Sequence, residues 1–249
     1  MAIAVQDMAA EKGYDLVLSF DYENLNSSIE KDISWSLKDQ LERVGFKVDD
    51  GKELHILAQG MGCLVARWMV ERRGGNAFVD RMILVGPPNA GSVLGNLESY
   101  RKMATMLLGV VANVALPFLG WAGGLLKSVT TALKQGKKLT TTLAEMHEGS
   151  TFIRDLNDSD DPKVPYAIVA GDVRKYEPAD GSNFSKFQEK MSAKLGTFVN
   201  GGDANDMIVD YDSMKRAGKN SQVEITKVVC HHLNYFQEDA SLDAIKNLL

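Results

Sequence analysis

The chain has 249 residues, 45% of them hydrophobic and 24% charged, the size and composition of an ordinary globular protein able to bury a large core. Its net charge of -5 supplies no basic field for phosphates, which argues against nucleic acid as a partner. Only two cysteines occur, Cys63 and Cys230, too few and too far apart for a disulfide framework, and no secretory signal opens the chain, so a cytoplasmic protein is expected.

Residues 1–13 read as a short lead-in helix with Val5, Met8 and Ala9 on one side. The compact apolar run Leu16-Val17-Leu18-Ser19-Phe20 reads as a parallel strand covered on both faces, left by the loop Asp21-Tyr22-Glu23-Asn24. Ser27 and Glu30 have capping-box spacing, and Ile29, Ile33, Leu37, Leu41 and Val44 follow at helical intervals until Gly45. Next comes Leu54-His55-Ile56-Leu57-Ala58-Gln59-Gly60-Met61-Gly62-Cys63-Leu64-Val65-Ala66-Arg67. It predicts a buried strand, a sharp turn of small residues, and a helix that begins at once. Leu64, Val65, Trp68 and Met69 face inward on that helix, and Gly74-Gly75 end it. Met82-Ile83-Leu84-Val85 is a further strand. Strands alternating with helices predict a doubly wound, mostly parallel α/β sheet.

From Met106 to Leu126 no residue is charged, and the length is near that of a bilayer span. Gly109, Asn113, Pro117, Gly120, Gly123 and Gly124 interrupt it. A span would also put the later strands across a membrane from the sheet they must join. The choice lies between a helical hairpin buried on the core and a lid, and the lid is the expectation. Residues 97–148 are assigned to this insertion, with Leu116, Phe118 and Trp121 facing substrate. Beyond it the chain predicts a helix over Ser150 to Asn157, a loop over Asp158 to Pro162, and a strand at Tyr166 to Ala170. A helix from Ser185 to Leu195, a last strand at Glu224 to Val229, and a closing helix with Leu242, Ile245 and Leu248 complete the order. The whole of 1–249 reads as one domain.

A strand, a small-x-nucleophile-x-Gly turn and an immediate helix make the shape of a nucleophile elbow, which lifts its central residue above the sheet at a helix N-terminus. The flanking positions are filled by Ala58 and Gly62, but the central one is Gly60, which has no side chain to attack anything. Several blocks together resemble the α/β-hydrolase superfamily, in particular the lipase-like branch of lecithin:cholesterol-type acyltransferases and bacterial lipase-like relatives. That branch has an Ala-His-Ser-Met-Gly-Gly-Leu elbow, and here stands Ala58-Gln59-Gly60-Met61-Gly62-Cys63-Leu64. Its Thr-Pro-x-x-Gly-Ser/Thr turn is matched by Pro87-Pro88-Asn89-Ala90-Gly91-Ser92. Met146, Ser150, Phe152, Ile153, Leu156 and Asn157 fit its Met-x-x-x-Ser-x-Phe-Leu-x-x-Leu-Asn pattern. Asn205-Asp206-Met207-Ile208-Val209 resembles its acid loop, and His232-Leu233-Asn234-Tyr235-Phe236 its His before a Tyr-Phe pair.

The resemblance implies that Asp206 orients His232 as the base of a Ser-Asp-His triad, with Gly60 at the lost serine and the Met61 N–H as an oxyanion donor. Asp203 and Asp210 are rival acids and His231 a rival base. Cys63 lies about a helical turn past the elbow with no basic neighbour in sequence, so it reads as a buried structural thiol, as does Cys230. His55 and His147 lack ligand-like spacing, and neither a metal nor a cofactor is expected. The family's His-Gly loop, which carries the second oxyanion donor, would lie upstream of Leu16–Phe20 and is missing, as if the usual N-terminal strands were absent or rebuilt. Gly60 has three readings: an engineered serine replacement, a natural non-catalytic site, or room for a water activated by His232. The expected function is an esterase, lipase or acyltransferase on lipid-like acyl esters, inactive or impaired at Gly60. The alternative is a binding module on the same scaffold, part of a larger polypeptide. The apolar lid adds a peripheral membrane or protein contact to the expectations.

Overall fold

A computed structural model describes residues 2–22, 26–92, 141–175, 204–232 and 234–249. The elements in order are α1 (Ala2–Glu11), a π-turn (Ile29–Ile33) leading into α2 (Ser34–Arg43), β1 (His55–Gln59), α3 (Met61–Arg72), β2 (Arg81–Val85), α4 (Thr141–Glu145), α5 (Thr151–Asn157), β3 (Tyr166–Gly171), α6 (Tyr211–Lys215), β4 (Val223–Val228) and α7 (Asp239–Leu248). Among the described residues four strands form a parallel sheet in the order β1-β2-β3-β4. Ala58 pairs with Leu84, Ile83 with Ala167, and Ile168 with Ile225.

Alternate residues of each strand point to opposite faces, so β2 and β3 are buried on both sides. Met82, Leu84, Tyr166 and Ile168 pack with α2, α3 and α5, while Ile83, Val85, Ala167 and Val169 pack with Met8 of α1 and with Ile245 and Leu248 of α7. Helices therefore cover both faces, as the alternating pattern predicts. In parallel strands all carboxyl ends lie on one side, and the loops leaving β1, β3 and β4 there carry Gly60, Asp206 and His232.

Two local expectations fail. Leu16–Phe20 forms no strand, and Leu16, Val17 and Leu18 stand 61%, 37% and 49% exposed. A short apolar run has the same periodicity whether it is a buried strand or an extended segment anchored at its ends. Here the anchors are tyrosines: the Tyr14 hydroxyl donates to the Leu249 carbonyl at 3.0 Å and bonds the His55 ring, while Phe20 and Tyr22 stack and pack on the core. The second failure is the start of the next helix. Ser28, not Ser27, is the cap: its Oγ accepts from Lys31 N at 3.0 Å, and Asp32, not Glu30, returns a carboxylate to Ser28 N at 2.9 Å. The pattern shifts by one because the first turn is a π-turn, wider than the α-turn assumed by capping-box spacing. Ile29, Ile33, Leu37 and Leu41 are buried as predicted, but Val44, past the last turn, is exposed.

The end of the expected 97–148 insertion is described. Leu143 and Met146 are buried, and the Glu145 carboxylate accepts from Ser28 Oγ at 2.5 Å and Ile29 N at 2.6 Å. The uncharged 106–126 stretch, Leu116, Phe118, Trp121, the expected 185–195 helix and Asp203 lie outside the described residues. Among the described residues no helix is long and apolar enough to cross a membrane.

Candidate active site

The elbow forms because β1 must reverse into α3 within one residue. Gly60 N donates to Val85 O at 2.9 Å, keeping it tied to β2, while its carbonyl accepts from Cys63 N at 3.0 Å and opens the helix. The backbone there has φ 54° and ψ -124°, a conformation that only glycine adopts without strain. A Cβ built on Gly60 would lie 2.9 Å from His232 Nε2. The imidazole thus faces the apex of the turn so closely that any side chain there would push it back.

His232 is held from three directions. Its Nδ1 bonds Asp206 Oδ2 at 2.7 Å, its backbone N donates to Asp206 O at 2.8 Å, and its carbonyl accepts from Gln59 Nε2 at 2.8 Å. Asp206 is wholly buried, a costly place for a carboxylate unless its lone pairs are occupied. They are: Oδ1 accepts from Ile208 N at 3.1 Å and Val209 N at 2.8 Å, and Oδ2 also accepts from the Tyr235 hydroxyl at 3.0 Å. Tyr235 in turn accepts from Gly171 N at 2.7 Å. Burial, then the Asp206 charge, pushes its phenol well above the usual range, so it stays a neutral donor. Gly86 and Gly171 give this cluster its room, since a Cβ on either would come within 3.0 Å of both Asp206 and the Tyr235 side chain. When Nδ1–H donates to the Asp206 carboxylate, the other ring nitrogen, Nε2, is the one that faces Gly60.

The rivals sort by geometry. His231 is buried, and desolvation lowers its pKa to about 4, with His232 acting in the same sense; His232, not His231, carries the Asp206 bond. Asp210 sits at the start of α6, and Asp203 is outside the described residues. Cys63 is buried, donates from Sγ to Ala58 O at 3.2 Å, and has its thiol pKa raised far up by burial, as the structural reading requires. Cys230 is buried with its thiol likewise raised, His55 is bonded to Tyr14 and Glu53, and His147 is exposed in the turn after α4. Met61 opens α3, so its N–H belongs to the first helical turn, where backbone donors have no partner within the helix.

Two features escaped the sequence reading. The Tyr22 hydroxyl lies 3.5 Å from where a Cβ on Gly62 would sit, at the first turn of α3. Tyr22 lies in the segment that follows Leu16–Phe20, so that segment reaches the elbow. The second is a buried polar block. Arg67 is fully buried and reaches Glu71 (2.7 and 3.3 Å), Asn89 Oδ1 (3.0 Å) and Asn157 Oδ1 (3.3 Å), while the Tyr166 hydroxyl donates to Glu71 at 2.9 Å. Asn89 Nδ2 donates to Met214 O at 2.9 Å, Asn157 Nδ2 to Asn89 O at 2.8 Å, and Ser92 Oγ to Ile208 O at 2.9 Å. The Pro87–Ser92 turn and Asn157 therefore brace the elbow helix against the loop that carries Asp206. The i, i+4 spacing of Arg67 and Glu71 was a signal for this block.

A family described as "Domain of unknown function (DUF7379)" matches residues 4–249. The chain belongs to this family. No curated protein matches its sequence. Among solved structures, mature lipase BlEst2 of Bacillus licheniformis superposes with a TM-score of 0.59 at 16% identity, over 97% of this chain and 82% of that one. Phospholipase PlaB of Legionella pneumophila gives 0.52 at 14% identity, over 85% and 41%, and EstA of Clostridium botulinum 0.52 at 11%, over 81% and 64%. The chain spans less than half the length of the phospholipase and of the propeptide form of the lipase, at 44%. At these identities the likeness is one of fold: this is an α/β-hydrolase scaffold.

Proposed function

We propose that the chain is a serine-hydrolase scaffold for acyl esters in which Asp206 and His232 are the acid and base of a triad and Gly60 stands at the nucleophile. One observation carries the reading. His232 Nε2, with Nδ1 fixed on Asp206, points at the apex of a positive-φ turn, 2.9 Å from the place of an absent Cβ. A hydroxyl there would give its proton to Nε2 as the oxygen attacks the acyl carbon, and the Met61 N–H would face the developing oxyanion. With Gly60 no acyl-enzyme can form. What is left is binding and orientation, worth roughly 10³–10⁴-fold over water in triads so stripped. The lipase and phospholipase folds support an acyl-ester substrate of lipid type. In the same reading 1–249 is one domain, and residues 97–148, with Leu116, Phe118 and Trp121, cover the acyl chain or meet a lipid surface.

The test is fluorophosphonate labelling of Gly60→Ser beside the unaltered chain and Gly60→Ser/His232→Ala. Labelling of the serine variant alone is the expected result. A folded Gly60→Ser protein that stays unlabelled would overturn the reading and leave a binding module.

A further inference from the structure

The direction of the Tyr235 hydroxyl is fixed by its neighbours. Gly171 N reaches the phenol oxygen at 2.7 Å, and a backbone N–H can only donate, so the oxygen accepts there and its own proton goes elsewhere. Two acceptors are within reach, Asp206 Oδ2 at 3.0 Å and Met214 Sδ at 3.7 Å. A carboxylate is much the stronger acceptor, so the proton points at Asp206. The same Oδ2 bonds His232 Nδ1 at 2.7 Å, while Oδ1 is held by the Ile208 and Val209 backbone. Among the described residues Tyr235 is therefore the one side chain that shares the acid with the imidazole. The two rings also meet edge to face, 6.1 Å between centroids. His231, Cys230 and Glu238 are the further titratable groups around the pair. Burial lowers His231 and raises Cys230, so both are neutral near pH 7.

We propose that Tyr235 is a positioning residue that sets how strongly Asp206 holds a protonated His232, by donating to the oxygen the imidazole also uses. As the tuning of a catalytic base, this rests on the hydrolase reading. No proton leaves the phenol. Its hydrogen bond draws charge from Oδ2, so the carboxylate favours the imidazolium less than it would alone. The base is thereby kept ready to take a proton at lower pH. Two donors competing for one buried oxygen are coupled, and removing one strengthens the other.

The experiment follows the His232 ring signals by NMR against pH in the unaltered chain and in Tyr235→Phe, which keeps the ring contact and loses the hydroxyl. Tm should fall whatever the role, because Gly171 N loses its acceptor, so stability does not discriminate. The expected result is a midpoint for the His232 titration raised by about one pH unit. A folded variant with the midpoint unmoved overturns the assignment and leaves Tyr235 a packing residue. Should Tyr235→Phe fail to fold, 3-fluorotyrosine in place of Tyr235, a stronger donor, decides instead: a lowered midpoint supports the assignment and an unmoved one overturns it. In the Gly60→Ser background the acid limb of the labelling profile should move with the ring. A folded Gly60→Ser protein that never labels overturns the hydrolase reading, while the ring titration still decides on Tyr235 by itself.

Discussion

The acid–base side of the site and the elbow side are built to different degrees. Around Asp206 every lone pair is taken, two glycines open the space, and Gln59 clasps the His232 carbonyl. At the elbow the strand, the turn and the helix N-terminus are all in place around a glycine. The difference has a physical cause. Asp206 has a structural role of its own: any donor withdrawn from a buried carboxylate leaves an unpaired charge, so packing retains the cluster whether or not it catalyses. A side chain at position 60 holds nothing together. It would strain the backbone and crowd His232, so glycine is the residue that leaves the fold relaxed there.

If the two sides are coupled as proposed, the largest effect should come from Asp206→Asn in the Gly60→Ser background. An amide can offer Nδ1 a donor where the imidazole needs an acceptor, which turns the wrong nitrogen toward the serine. Labelling should fall about 10⁴-fold, by analogy with other triads. A loss under tenfold in stopped-time labelling would separate the acid from the elbow and break the comparison.

The framework common to both sides is the Arg67 block. Arg67→Met leaves Glu71 buried without its cation, and urea unfolding should show a loss of about 3–5 kcal/mol. Arg67→Met/Glu71→Leu should recover much of it, because removing both charges removes the uncompensated one. A single variant as stable as the parent would mean that the elbow helix and the acid loop are not braced through this block.

Much of this arrangement was legible in the sequence where one period or one motif decides. The doubly apolar runs of β2 and β3 gave the sheet, and the spacing of Ile29, Ile33, Leu37 and Leu41 gave α2. A helix is expected over Ser150 to Asn157, and α5 follows there with Ser150 as its cap. The apposition of Gly60, Asp206 and His232 was legible only through family resemblance, since no local pattern brings together residues from three separate loops. Leu16–Phe20 misled because burial depends on what lies beside a segment, which periodicity does not record. Tyr22 was invisible for the same reason: its meaning comes from the first turn of α3, reached across 40 residues of chain.

A smaller effect sharpens the acid–base side. His231 titrates near 6.5 when unfolded and at about 4 in the folded protein, chiefly because burial disfavours its charged form. Between those values the unfolded chain binds a proton that the native state does not, so stability is full above pH 6.5 and falls as pH drops toward 4. The slope from this group approaches about 1.4 kcal/mol per pH unit. Urea midpoints at pH 7, 5.5 and 4.5 should show that decline, and His231→Gln should flatten it. An unchanged slope would mean that His231 is already charged in the native state.

The smallest effect separates the two reasons for glycine at the elbow. Gly74 has φ 73° and ψ 18°, with open space around its missing Cβ, so Gly74→Ala reports backbone strain alone, about 1 kcal/mol. Gly60→Ala meets a less accessible φ/ψ region and the His232 ring together, and should lose about 1–3 kcal/mol. In a His232→Ala background the ring contact is gone while the backbone is unchanged. If most of the excess over Gly74→Ala survives there, the turn itself favours glycine, and a serine at this position could be kept only for its chemistry. If the excess disappears with the imidazole, the elbow tolerates a side chain, and it is the close approach of His232 that holds the position to glycine.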